Sequence, residues 1–153
     1  MKWKLTVAST IMLLLVMSLI TLGLPKNIYA ENSKVDYNAL SWKAEDLNAK
    51  QKHQQVIDLL KPHAEDKKNK SAYFFNELGT AYFNKQDNLN AKKYFSIAHK
   101  ISKNDPKIIY NLASAMAILE DYEEALKLFN LAEKKGFDKR MIKEWRVWLK
   151  KKK

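Results

Sequence analysis

The sequence predicts an all-α protein: a tandem array of helical hairpins, about three units long, closed by one C-terminal helix. Three observations predict it. First, Phe75, Leu78, Gly79, Tyr82, Ala91, Phe95 and Ala98, between Ala72 and Asp105, recur 34 positions later as Ile109, Leu112, Ala113, Met116, Ala125, Phe129 and Ala132. A gapless period of this length marks stacked helical units whose usual product is a binding surface. Second, no run alternates at period two for long enough to form a sheet. Third, polar turn signals fall between the apolar runs at helical-hairpin intervals.

The pattern places helices over 37–49, 54–64, 71–84, 89–102, 106–119, 122–135 and 139–150. The first two form the weakest unit. Leu40, Ala44, Leu47, Val56, Leu60 and His63 keep the internal spacing, but Ala44 to Gly79 is 35 residues, which requires one inserted residue. Val56 and His63 also replace small residues, and Pro62 removes a backbone donor near the end of the second helix. The polar, like-charged run Lys67-Lys68-Asn69-Lys70 separates this unit from the next. Gln86-Asp87-Asn88 and Glu120-Asp121 are tight inter-helix turns. Asn104, Asp105 and Pro106 supply a turn and a helix-start proline. Gly136 is placed to end a helix in a left-handed conformation, and Asp138 to cap the next. In that last helix Ile142, Trp145 and Leu149 form one stripe bordered by Met141 and Trp148. This stripe suits a cap over the open face of the array.

These positions resemble the tetratricopeptide (TPR) family, whose repeat is an antiparallel helix pair. Its first helix carries a large, Leu, small, aromatic pattern and its second Ala, aromatic, Ala. The resemblance implies a TPR-like array over 37–135, with units at about 37–70, 72–105 and 106–137, followed by a capping helix and basic tail over 138–153. The small residues Gly79, Ala113, Ala91, Ala98, Ala125 and Ala132 set the helix spacing. Leu78, Tyr82, Phe95, Leu112 and Phe129 fill it. Two positions depart from the family, since its usual proline is Lys103 in one unit and Phe137 in the other.

The first thirty residues read as an address. Lys2 and Lys4 precede a 20-residue uncharged run from Leu5 to Leu24; Pro25 breaks it, and Ile28-Tyr29-Ala30 leads to Glu31. This is the pattern of a bacterial-type export signal cleaved between Ala30 and Glu31, with 31–36 as a linker. The run is also long enough to serve as an uncleaved membrane anchor. Both versions place the repeats outside the cytoplasm, in the periplasm, at the cell surface or secreted. The absence of cysteine excludes disulfides, thiolate metal sites and a lipidated cysteine anchor.

The net charge of +11 is unevenly spread. From Glu31 to Glu133 there are 15 basic and 15 acidic residues, whereas Lys134 to Lys153 hold 10 basic and 2 acidic. The array is neutral and the tail carries the excess. The address and the lack of a basic stripe along the array argue against nucleic acid as a partner.

No catalytic constellation stands out, and the reading is of a non-enzyme. Gly79 and Gly136 are accounted for by packing and capping, so no phosphate-cradling loop is present. His53, His63 and His99 lack metal-ligand spacing. No catalytic residue, metal or cofactor is therefore assigned. Asn69-Lys70-Ser71 fits a glycosylation acceptor in form, but the export signal is of bacterial type.

The resemblance instead implies binding, because first helices line the concave face of the family's arrays. That assigns a partner groove to Asn38, Ser41, Glu45 and Asn48, then Tyr73, Asn76, Thr80, Phe83 and Asn84, then Lys107, Tyr110, Ser114 and Ile118. The set is amide-rich, aromatic and nearly uncharged, which suits an extended peptide of a protein partner. It lacks the Lys, Asn and Arg clamp by which chaperone-binding members grip a C-terminal carboxylate. The leading expectation is an exported interaction scaffold for an envelope or secreted protein. The alternative is attachment to an anionic membrane or cell-wall polymer through Trp148, Lys150, Lys151, Lys152 and Lys153.

Overall fold

Residues 34–152 are described by the structure, a computed structural model, and among them are seven α-helices and no strand. The expected signal segment, its Ala30/Glu31 junction, the start of the linker and Lys153 lie outside the described residues. The helices are α1 (Tyr37–Ala49), α2 (His53–Leu60), α3 (Ala72–Asn84), α4 (Asn88–Ile101), α5 (Pro106–Ile118), α6 (Tyr122–Lys134) and α7 (Lys139–Lys150). α1/α2, α3/α4 and α5/α6 are hairpins, and successive first helices pack side by side, α1 on α3 and α3 on α5.

Helix starts are set by short acceptors. The side chains of Asp36, Ser71, Asp87, Asp105 and Asp138 each take a backbone N–H of the first turn they precede. Asp121 makes no such bond, and its carboxylate instead lies 3.3 Å from the Lys92 amino group of the preceding unit. Helix ends repeat one device. Gln51, Gln86, Glu120 and Gly136 have φ of 58°, 63°, 66° and 99°. The next N–H bonds back five residues in each case, from Lys52 to Leu47, Asp87 to Tyr82, Asp121 to Met116 and Phe137 to Ala132, at 2.9–3.0 Å. This is the Schellman closure, which satisfies carbonyls the helix would leave unpaired. Its occurrence in the α1/α2 turn, 35 residues before Gln86, shows that the weakest unit closes its hairpin as the other two do.

One expected boundary is corrected. The second helix was expected over 54–64, but α2 ends at Leu60 and the chain tightens into a 3-10 turn over Lys61–His63. Pro62 has no N–H to give to an α-turn, and its ring crowds the preceding turn.

The repeat positions carry the core. Ala91, Ala98, Ala113, Ala125 and Ala132 are fully buried, as are Leu78, Ile109 and Phe129. Gly79 faces Phe95 so closely that a β-carbon there would lie 2.6 Å from the ring, so only glycine admits this packing. The cap forms as the stripe requires: Ile142 and Leu149 are buried, and Trp145 stacks on Phe129 with centroids 5.4 Å apart. α7 sits as the first helix of a further unit would. However, Lys143, Arg146, Val147 and Lys150 occupy the places that Ile109, Leu112, Ala113 and Met116 hold in α5. A charged face of that kind stays in water, whereas in α5 it is covered by α6.

Candidate functional site

The face shared by α1, α3 and α5 is bridged by one ion pair. The Lys107 amino group of α5 lies 3.5 Å from the Glu45 carboxylate of α1, and α3 stands between the two helices. Packed helices are about 8–10 Å apart, so only long side chains reaching toward each other over α3 close that span.

Beneath that pair runs a hydrogen-bonded chain linking the three units. His53 Nδ1 of α2 lies 3.1 Å from Asn48 Oδ1, and the Asn48 amide donates at 2.9 Å to the Glu77 carboxylate and at 3.0 Å to the Glu77 carbonyl. Asn76 Nδ2 donates to the same carboxylate at 3.0 Å, while Asn76 Oδ1 accepts from Asn111 Nδ2 of α5 at 2.9 Å. Lys107 also stands 3.7 Å from Glu77. Glu77 is buried, and these donors replace the water that its carboxylate gives up. One unit on, the same connection recurs in different chemistry, since Trp145 Nε1 of α7 donates to the Tyr110 hydroxyl at 2.9 Å.

The thirteen expected groove residues therefore divide by burial. Asn38, Glu45, Tyr73, Asn84, Lys107 and Ile118 are exposed on the shared face, and Asn48, Thr80, Phe83 and Tyr110 are half-buried. Ser41, Asn76 and Ser114 lie below the surface. The hydroxyls of Ser41, Thr80 and Ser114 bond back to the carbonyls of Tyr37, Asn76 and Tyr110, four residues earlier, which occupies their donors within the helix. Phe83 packs against Phe95, and Tyr110 stacks on Phe137 at 4.1 Å, so both brace their own hairpins. Phe137, the residue in place of the family's proline, thereby gains a packing role. Tyr73 keeps an open ring, with its hydroxyl donated to Asp105 at 3.0 Å; that bond raises the phenol pKa above its ordinary value.

Glu77, Asn111 and Trp145 are the groove residues that sequence reasoning missed. They are one position in three successive units, 34 residues apart, and the position adjoins the expected Asn76 and Tyr110. The repeat spacing held the signal that would have found them. At the far end of the groove, Ile118, Glu144, Trp145 and Trp148 line a shallow cleft.

Elsewhere the expectations fare differently. Trp148 is half-buried against Tyr122 and Trp145, at centroid distances of 6.1 and 5.6 Å, and Lys152 lies over its ring at 5.2 Å. Lys150, Lys151 and Lys152 are exposed. The Asn69 side chain is buried, with its Oδ1 accepting from Ser71 N–H, so it is not presented as a glycosylation acceptor. Among the described residues no three His, Asp or Glu side chains cluster so as to hold a metal ion, and no helix is long and apolar enough to cross a membrane.

No family model matches the sequence, and no curated protein does. Solved structures match the fold. The chain is similar to the Arabidopsis OM64 TPR domain, with a TM-score of 0.67 and 16% identity over 76% of this chain and 96% of that one. It is similar to the Sgt2 TPR domain from Aspergillus fumigatus, with a TM-score of 0.65 and 17% identity over 78% and 80% of the two chains. It is also similar to a chain of a T3SS complex from Aeromonas hydrophila, with a TM-score of 0.60 and 16% identity over 88% and 89%. The protein has the TPR-like fold. At these identities the likeness is one of fold.

Proposed function

We propose that this protein is an exported interaction scaffold whose first-helix groove holds an extended segment of an envelope or secreted protein, without a cofactor. The observation that carries the reading is the face that α1, α3 and α5 share, bridged by the Glu45 and Lys107 pair, with Tyr73, Asn38 and Asn84 exposed on it. An open, amide-bearing and aromatic surface over a hydrogen-bonded floor suits a peptide main chain. Likeness to TPR domains supports it, and one of the similar chains belongs to a T3SS complex. Export rests on Lys2, Lys4, the run from Leu5 to Leu24 and Ile28-Tyr29-Ala30.

The test replaces exposed groove residues only. Tyr73→Ala, Asn84→Ala and Lys107→Ala together should abolish recovery of the partner that wild-type protein retains from its own envelope fraction. Leu89→Ala, on the second-helix layer, should not. Unchanged recovery by the groove variant would remove the groove from consideration. The exported form should have an intact mass lacking residues 1–30; recovery of full-length protein alone would favour the anchor.

A further inference from the structure

We infer that the outer face of α7 is a docking surface for an anionic lipid bilayer. The inner stripe of this helix is consumed by the cap, because Ile142 and Leu149 are buried and Trp145 is stacked on Phe129. The opposite side is a continuous strip of Arg140, Lys143, Glu144, Val147, Trp148 and Lys151. Its middle holds Val147, 48% exposed, beside the exposed carboxylate of Glu144, and Met141 at its edge is 44% exposed. Its rim is cationic: Lys143, Lys150 and Lys151 have no carboxylate partner among the described residues, whereas Arg140 is paired with Asp138 and Arg146 with Glu133.

Charge complementarity selects the occupant. A second copy meeting this face through its own α7 would set three unpaired lysines against three, with one Glu144 carboxylate on each side to offset them. A soluble polyanion would neutralise the lysines but leave Val147 and Met141 in water. The headgroup boundary of an anionic bilayer accepts both, with apolar side chains entering it while ammonium groups stay among the phosphates. A 12-residue helix is about 18 Å long, and the strip runs along it from Arg140 to Lys151. Glu144 and Trp148 also line the cleft at the far end of the groove, so the strip meets the groove along that edge, while the exposed groove residues Asn38, Glu45 and Tyr73 lie on α1 and α3.

The chain has no cysteine, so Val147→Cys gives one labelling point for an environment-sensitive fluorophore, and Leu89→Cys gives a control on α4. The exported form beginning at Glu31, free of the apolar run from Leu5 to Leu24 that would itself enter either vesicle, is mixed with vesicles of phosphatidylcholine alone or of phosphatidylcholine and phosphatidylglycerol. The label at 147 should shift to the blue only with the anionic vesicles, and high salt should reverse the shift. The label at 89 should not respond. Each lysine near an anionic surface contributes about fivefold in partition, so Lys143→Gln, Lys150→Gln and Lys151→Gln together should weaken partition of the labelled face about a hundredfold. Circular dichroism should show the fold retained. The proposal is overturned by an equal response at 89, an equal response to neutral vesicles, or no effect of the three substitutions. It is also overturned if the shift appears on concentration without vesicles, which would indicate self-association, or with heparin but not vesicles, which would indicate a polymer site.

Discussion

At the scale of single residues, spacing and satisfaction decide more than residue type. Gly79 is fixed by the Phe95 ring, which leaves no room for a β-carbon. Gly79→Leu should lower stability by about 1–3 kcal/mol or more through overpacking, read from denaturant melts; an unchanged midpoint would contradict the close contact. His99 offers a second test, because its Nδ1 is buried without a partner. Burial, then repulsion from Lys103, lowers its pKa below the ordinary 6.5. The folded state then binds fewer protons than the unfolded one, so this contribution to stability is fully present above about pH 6.5 and is lost as pH falls through the lower folded value. Wild type should lose more stability than His99→Leu when the pH drops from about 7 to about 5. Parallel curves would contradict it. The repeat made Gly79 legible from sequence, since a small residue recurs there as Ala113. It did not reveal the burial of Asn76 or the donors on Glu77, because an amide in a helix reads alike on an open or a covered face.

At the scale of elements, the hairpin closures were legible in position but not in chemistry. Only Gly136 carries the residue that a left-handed helix end prefers; Gln51, Gln86 and Glu120 adopt the same closure at a cost in strain. Gln86→Gly and Glu120→Gly should therefore each stabilise the fold by about 0.5–1 kcal/mol, whereas Gly136→Ala should destabilise it by a similar amount. Loss of stability in the first two would show that their side chains hold more than the turn. α7 was readable as a cap because its apolar stripe is narrow and its remainder basic. Truncation after Leu149 keeps Ile142, Trp145 and Leu149, and its melt should match wild type. Truncation before Lys139 exposes Phe129 and Tyr110 and should cost several kcal/mol, with a broadened transition. Equal melts for the two truncations would contradict the capping role. The early end of α2 escaped the pattern reading, although Pro62 was its visible cause.

At the scale of the whole molecule, an array of similar hairpins turns local packing into a shared surface, and the link between them is the set of contacts that joins the first helices. That link was the least legible from sequence, because the contact between Glu45 and Lys107 joins residues 62 apart on units related only by stacking. The fold class and repeat positions follow from a period; the groove floor follows from which residues the stacking of first helices brings together, and a period alone does not give that. The central claim is that this first-helix face, and not the second-helix layer, meets the partner. Site-specific photo-crosslinking in the producing cell tests it most directly, with a benzophenone side chain placed in turn at Tyr73, Asn84 and Lys107, and at Leu89 and Lys93 on α4. The account predicts that one and the same protein is captured from all three groove positions and from neither α4 position. Capture of that protein from Leu89 and Lys93, with none from the groove, would contradict it.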